Sequence, residues 1–270
     1  MLSFFGKNEN KGDEMRLTGN TASRQTSILK HLQEHGRATV DELVELLHAT
    51  PQTIRKDLTS LEKSNQLSRF HGGASLLGGS EYTGFSARQE IAREEKEAIG
   101  RKVSSLIPNN SSLIINSGTT TLAAARYLEH HVGLKIVTDS VSLSNEIKGF
   151  IGAEVMVPGG VVRKSDGAIL GEAAVDFIRQ FRVDTAVIGA AAIASDGSFL
   201  DFDLREVSIV RAIIENARTV ILAVDSMKFG RAAPVCVGNI DQVDVLVTDS
   251  ACPEALEKLC KTAGVRLLKA

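Results

Sequence analysis

Two hydrophobic periods divide this chain and predict an α/β protein in two parts: an N-terminal winged helix-turn-helix and a C-terminal α/β domain with a largely parallel sheet. Residues 39 to 73, TVDELVELLHATPQTIRKDLTSLEKSNQLSRFHGG, read as two short amphipathic helices joined by a tight turn and followed by a small basic hairpin. From Ser111 onward, short aliphatic runs alternate with helical patterns, the signature of βαβ units. Between the two, Ser75 to Phe85 (SLLGGSEYTGF) is rich in Gly and Ser and reads as a linker. The division expected is a flexible lead-in over 1–21, the winged helix-turn-helix over 22–75, a linker over 76–88 and the α/β domain over 89–270.

In the N-terminal part, Thr39 and Glu42 stand in capping-box register, and Val40, Leu43 and Leu47 share one helical face. Thr50 and Pro51 restart the chain, because threonine caps well and proline suits a first helical position, whose N–H has no partner in any case. Ile54, Leu58 and Leu61 form the next buried stripe. That leaves Gln52, Thr53, Arg55, Lys56 and Thr59 facing outward. These residue types reach base edges and phosphates when a helix enters the major groove. An upstream helix from about Arg24 to Glu34, with Ile28 and Leu32 inward, completes a three-helix core, and Leu67 to Ala74 adds a wing carrying Arg69 and His71. A small helical bundle with a solvated basic face is the alternative. Charge does not decide between them, since residues 22–75 hold seven Lys/Arg and six Asp/Glu. The ordered succession of caps, polar helix tip and wing favours double-stranded DNA as the partner.

The chain carries a net charge of −2, so any DNA affinity has to come from local placement of charge rather than a basic coat. Aromatic residues are 4% and Trp is absent, which requires an aliphatic core. Cys236, Cys252 and Cys260 show neither CxxC spacing nor nearby histidines, so no disulfide, metal site or cofactor is expected, and the thiols suit a reducing cytoplasm. No apolar run approaches the ~20 residues a bilayer requires, so no membrane partner is expected. MLSFF lacks the basic start and long apolar stretch of a signal peptide, and the start of translation, Met1 or Met15, stays open.

In the C-terminal part a helix opened by Ser86 and carrying Ile91, Ile99, Val103 and Leu106 supports either this domain or a dimer contact. Strands are expected at 113–115, 135–137, 154–157, 185–188, 219–224, 243–247 and 265–268. Helices are expected around 120–128, 140–148, 172–181, 204–216 and 253–263. Ligand sites in such sheets lie at the carboxyl ends of strands. After the first strand comes Asn116-Ser117-Gly118-Thr119-Thr120-Thr121, a small-residue turn into a helix whose N–H groups and hydroxyls suit an anion, or merely a well-capped turn. Asp139-Ser140, Gly159-Gly160 with Arg163, and Lys228 follow other strands. Together they suggest a cradle, a guanidinium and an ammonium at one rim, fit for a phosphorylated sugar or polyol. Asp203 and Glu206, with Asp201 and Arg211 nearby, could bind sugar hydroxyls; equally, Asp203 could cap the following helix and Glu206 pair with a neighbouring base.

The TIRKDL segment (Thr53 to Leu58) and the HGGA wing (His71 to Ala74) resemble the N-terminal domain of the DeoR family of bacterial transcriptional repressors. The resemblance continues through GEAAVDFIRQFRVD (Gly171 to Asp184), DGSFLDFD (Asp196 to Asp203), RAIIEN (Arg211 to Asn216) and KFGR (Lys228 to Arg231), covering about residues 22 to 250. It implies an effector domain related in fold to ribose-5-phosphate isomerase, glucosamine-phosphate deaminase and CoA transferases. It further implies operator DNA, a homo-oligomer (dimer or tetramer) and an effector such as glycerol 3-phosphate. The chain departs from the family pattern at Asn116, at Asp139 and across Ala190 to Ala194, so the effector itself stays open. The function expected is a repressor of a carbon-metabolism regulon with no catalytic residues. The alternative is a sugar-phosphate isomerase or deaminase-like enzyme with an accessory DNA-binding domain.

Overall fold

The structure, a computed structural model, describes residues 21–35, 37–64, 66–70, 72–76 and 85–270. The N-terminal unit contains α1 (Thr21–His35), β1 (Arg37–Thr39), α2 (Val40–Leu47), α3 (Pro51–Lys63), β2 (Leu67–Phe70) and β3 (Gly73–Leu76). The caps act as the sequence predicts. The Glu42 N–H donates to Thr39 Oγ1 at 3.2 Å, the Thr39 N–H donates to the Glu42 carboxylate at 2.7 Å, and Thr50 accepts from the Thr53 N–H. His48, in the left-handed region at φ 49°, ends α2 and turns the chain toward α3. Ile28, Leu32, Leu43, Ile54, Leu58 and Leu67 are fully buried together. Asp57 is buried on α3 and receives the Arg24 guanidinium at 2.5 Å, which ties α3 to α1 through a partly buried charge pair. β1 was not foreseen; it pairs antiparallel with β3, from Arg37 opposite Ser75 to Thr39 opposite Gly73, and joins the wing into a three-stranded sheet. Its three residues are too few to display an alternating pattern.

The expected helix from Ser86 is two helices, α4 (Phe85–Glu90) and α5 (Arg93–Ser104). Ala92, at φ 52°, breaks the run. The buried Lys96 ammonium accounts for the break: it donates to the Arg88 carbonyl and, at 2.7 Å, to the Ile91 carbonyl, satisfying acceptors that a continuous helix would have used itself. Residues 85–88, read as linker from sequence, are therefore helical.

There follow β4 (Ser112–Ile115), α6 (Thr119–Arg126), β5 (Leu134–Val137), α7 (Val141–Ile147), β6 (Ala153–Met156) and the hairpin β7 (Val161–Val162) and β8 (Ile169–Leu170). Next come α8 (Glu172–Arg179), β9 (Val183–Ile188), β10 (Ala192–Ile193), β11 (Ser198–Asp201), α9 (Leu204–Glu215) and β12 (Ala217–Ala223). β13 (Val235–Asn239), β14 (Val245–Thr248), α10 (Glu254–Ala263) and β15 (Arg266–Lys269) complete the described chain. The seven expected strands form one parallel sheet in the order β15-β14-β12-β9-β4-β5-β6. Alternate residues serve opposite faces. Ile114, Ala186 and Leu222 enter one core, while Ile115, Val187 and Ile221 enter the other. The chain leaves β4 toward one edge of the sheet and returns at β9 toward the other, so β4 and β9 flank a topological switch point.

Helix α5 packs closely on α6. A Cβ on Gly100 would lie 2.8 Å from the Ala123 carbonyl carbon and oxygen, so only glycine permits this approach. Gly100→Ala is expected to destabilise the α/β domain by about 1–3 kcal/mol as the helices separate; urea unfolding unchanged from wild type would contradict this packing.

Candidate functional site

A cleft of about 450 Å³ opens at the switch point, a size suited to a small metabolite. Its floor is the turn from β4 into α6, Ser117 to Thr121, faced by Gly189, Ala190 and Ala191 after β9. Hydrogen bonds between strand ends fix the turn. Asn116 Oδ1 accepts from the Gly189 N–H at 3.0 Å, and Asp139 Oδ1 accepts from the Ser117 N–H at 2.7 Å. Thr121 Oγ1 closes the turn by donating to the Asn116 carbonyl at 2.8 Å. The cap residue of α6 is Gly118, which has no side-chain acceptor, so the first-turn N–H groups of this helix stay directed at the cleft.

The opposite wall is ionic. The turn after β7 presents Arg163 and Asp166, and the start of α9 presents Asp203, Arg205 and Glu206. Arg163 donates to Asp166 at 2.9 and 2.6 Å, to Glu206 at 2.6 Å and to Asp203 at 3.3 Å. Burial alone would lower the Arg163 pKa, but its hydrogen bonds to Asp166 and Glu206, and their charges, outweigh it and hold the guanidinium above its ordinary range. The free guanidinium expected from sequence is thus already committed to three carboxylates. Asp203 caps α9 through the Arg205 N–H at 3.0 Å, as the second alternative has it, and also lines the cleft. Arg211 instead binds the Val237 and Cys236 carbonyls of β13.

Lys228, on the turn Ser226–Lys228 after β12, lines the cleft, and its ammonium has no ion pair or hydrogen bond among the described residues. Burial pulls its pKa down to about 8, against the pull of nearby Asp225. Burial and the adjacent Asp201 push Glu206 up to about 8.

Several expected residues sit elsewhere. Asp139 is buried behind the turn and supports it; burial raises its carboxyl to about 7, and Oδ2 is unpartnered. Ser140 is buried and caps α7 by accepting from the Leu143 N–H. Gly159 and Gly160 follow the edge strand β6, two strands from the switch point, and do not line the cleft. In the Ala190 to Ala194 stretch only Ala190 and Ala191 line it, because Ala192 and Ile193 form β10 in the core. Sequence reading missed Arg88, Asp166 and Arg205 as lining residues. The Arg-x-x-Asp spacing of 163 and 166 was the available signal for one of them.

On the N-terminal unit, Gln52, Arg55 and Lys56 are exposed on the first turns of α3, and their side chains have no intrachain partner among the described residues. Thr53 is half-buried, its hydroxyl bonded to that of Thr50 at 2.9 Å. Thr59 donates to the Arg55 carbonyl and accepts from Arg69, which also lies 3.8 Å from Glu62. Arg69 is therefore held against α3, and the expected role of His71 falls outside the described residues. Among the described residues no group of His, Cys, Asp and Glu could hold a metal, and no helix is long and apolar enough to cross a membrane.

Two pH effects are expected. Lys228 loses its charge, and Glu206 gains one, as pH rises through about 8. Affinity for a phosphate ester should therefore fall between pH 7 and 9, with Lys228→Gln weaker at pH 7 and less pH-dependent; calorimetry showing a flat wild-type profile would contradict this. Because the folded Asp139 carboxyl is raised to about 7, its contribution to stability is lost as pH climbs through that value. Asp139→Asn does not titrate, so its melting temperature relative to wild type should be higher at pH 8.5 than at pH 6.

Residues 24–78 match the DeoR-like helix-turn-helix domain and residues 91–250 the DeoR C terminal sensor domain. The glycerol-3-phosphate regulon repressor of Escherichia coli (strain K12) is 42% identical over 244 residues, 90% of this chain and 97% of that protein. The HTH-type transcriptional repressor CsqR of the same organism is 35% identical over 93% of this chain and 96% of its own length. The HTH-type transcriptional repressor GlcR of Bacillus subtilis (strain 168) is 30% identical over 91% and 95% respectively. With both domains matched in order and similarity running along nearly the whole chain, the protein belongs to the DeoR family.

Proposed function

We propose that this chain is a cytoplasmic transcriptional repressor of a glycerol or sugar regulon, released from its operator by a small phosphorylated polyol or sugar, glycerol 3-phosphate first among them. The observation that carries the reading is the coexistence of two sites whose charges are not spent internally: the α3 tip, with Gln52, Arg55 and Lys56 exposed, and the cleft, with Lys228 opposite the α6 turn. In the cleft, the amides of Gly118 to Thr120 and Lys228 bind the phosphate, while Asp201, Asp203 and Glu206 accept from hydroxyls of the carbon chain. On DNA, Arg55 reads a base edge, Gln52 supplements it, and Lys56 and Arg69 contact phosphates. One such helix reaches too few bases for useful selectivity, so a homo-oligomer on a repeated site is part of the proposal. Effector and DNA then oppose each other by linkage: a ligand that prefers the arrangement incompetent for DNA weakens operator affinity by its differential binding.

A second reading is favoured by Asp201 and Glu206, whose pKa values burial raises, standing with Lys228 in one cleft as acid–base groups do in an isomerase. Against it, Glu206 is held by Arg163 at 2.6 Å. Turnover of ribose 5-phosphate or glucosamine 6-phosphate by the purified protein would establish that reading.

Arg55→Ala is expected to cost about 1–3 kcal/mol on a duplex selected by the protein from a random pool, and little on scrambled DNA. Lys56→Ala should weaken both and reduce the slope of log affinity against log salt by about one phosphate contact. Fluorescence anisotropy across a salt series measures both, and equal losses on selected and scrambled duplex for Arg55→Ala would contradict base reading.

A further inference from the structure

Arg88 lies outside every segment that sequence reading assigned to the effector site, yet it lines the cleft. Its Nε is buried with no hydrogen-bond partner among the described residues, and its one ion pair among them, to Asp166, is long at 3.5 Å. Asp166 is in any case occupied by Arg163 at 2.6 Å, and Glu206 and Asp203 are bound to Arg163 as well. Asp166, Asp203 and Glu206 are therefore shared out before Arg88 is reached, and Asp201, the remaining carboxylate of the lining, forms no ion pair with it. A guanidinium presents five donors in a planar fork, and a buried unused Nε is costly unless an acceptor arrives. The Phe85 ring lies 5.6 Å from the guanidinium carbon and steadies the side chain without supplying a hydrogen-bond acceptor.

The backbone that carries Arg88 matters equally. Helix α4 starts at Phe85, nine residues along the chain from the end of the wing strand β3 at Leu76. It is separated from α5 by the left-handed Ala92 and is held to it by Lys96, which bonds the Arg88 and Ile91 carbonyls. It lies against α1 of the N-terminal unit as well as α6, the helix of the phosphate turn. One short helix thus joins the cleft, the phosphate turn and the path to the DNA-reading unit.

We infer that Arg88 is a ligand of the effector's phosphate group and that, by pinning α4 when the cleft fills, it carries the occupancy of the cleft to the DNA-reading unit. The inference rests on the reading of the cleft as an anion site. A phosphate between the α6 turn and Lys228 supplies the acceptor that Arg88 lacks, and the planar fork suits two phosphate oxygens at once. The linkage is reciprocal: if filling the cleft restrains α4, restraint of α4 by bound DNA alters effector affinity by the same factor.

The test uses the full chain as wild type, Arg88→Gln and Arg88→Lys. Glycerol 3-phosphate and inorganic phosphate are titrated by calorimetry, and amide hydrogen exchange is followed over residues 85–92 with and without saturating glycerol 3-phosphate. Arg88→Gln is expected to weaken both anions by about tenfold or more, with Arg88→Lys intermediate, because the lost bond is to a charged group. Wild-type amides at residues 85–92 should exchange more slowly with ligand, and those of either variant should slow less at matched saturation. Wild-type affinity in Arg88→Gln overturns the assignment of Arg88 as a ligand. Weakened binding with no ligand effect on wild-type exchange overturns the coupling and leaves Arg88 as a local contact. Should Arg88→Gln not fold, wild-type affinity in Arg88→Lys, which keeps the charge but loses the fork, overturns the assignment. If wild type binds neither anion, the anion-site reading itself fails and takes this inference with it.

Discussion

The Arg163 guanidinium is the constraint on which the cleft depends. Four hydrogen bonds bring Asp166, Asp203 and Glu206 to one point, from two elements far apart in sequence. Without that cation the three carboxylates would repel one another in a partly buried space, and the turn after β7 would have no fixed relation to α9. With it, that repulsion is relieved and the acidic wall is geometrically set. The cleft then presents turn amides and Lys228 on one side and, on the other, carboxylates already bonded to Arg163, with Arg88 beside Asp166. The polarity of the cleft is thus built in before any ligand arrives.

The remaining parts of the domain hold this arrangement in register. Close packing of α5 on α6 at Gly100 positions the helix that follows the turn from β4. Asn116 spans the switch point to Gly189, so the floor of the cleft is one hydrogen-bonded unit drawn from β4 and β9. In the N-terminal unit the buried Asp57 and Arg24 perform a comparable task, fixing the pose of α3 so that its exposed tip is a rigid surface. Both units place polar groups on backbone that is otherwise immobilised by aliphatic packing.

Much of this was legible in the sequence because it depends on periodicity. The central parallel strands are near-continuous aliphatic runs, buried on both faces, and the α2 and α3 caps are side-chain patterns with one physical meaning. What escaped had no such pattern. β7, β8 and β10 contain two residues each and are strands only because a partner lies alongside. The break at Ala92 depends on Lys96 folding back on the preceding helix, which no local propensity encodes. The turn into α6 and Lys228, which line the cleft, could be read from their position at strand ends. Ser140, Gly159 and Gly160 were misplaced by the same rule, because strand order, unknown from sequence, puts β5 and β6 on the far side of the switch point. Asp139 is near the turn but behind it, and Arg88 reaches the cleft from a segment that composition alone marks as linker.

The central claim is that the cleft binds a phosphate ester in one orientation, phosphate toward the α6 turn and carbon chain toward the Arg163 wall. A crystal structure of the full chain with glycerol 3-phosphate tests it most directly. The account predicts phosphate density within hydrogen-bond distance of the Gly118 to Thr120 amides and of Lys228, with Arg163 still bound to its three carboxylates. Phosphate seated on an Arg163 released from those carboxylates, or ligand found only outside the cleft, would contradict it.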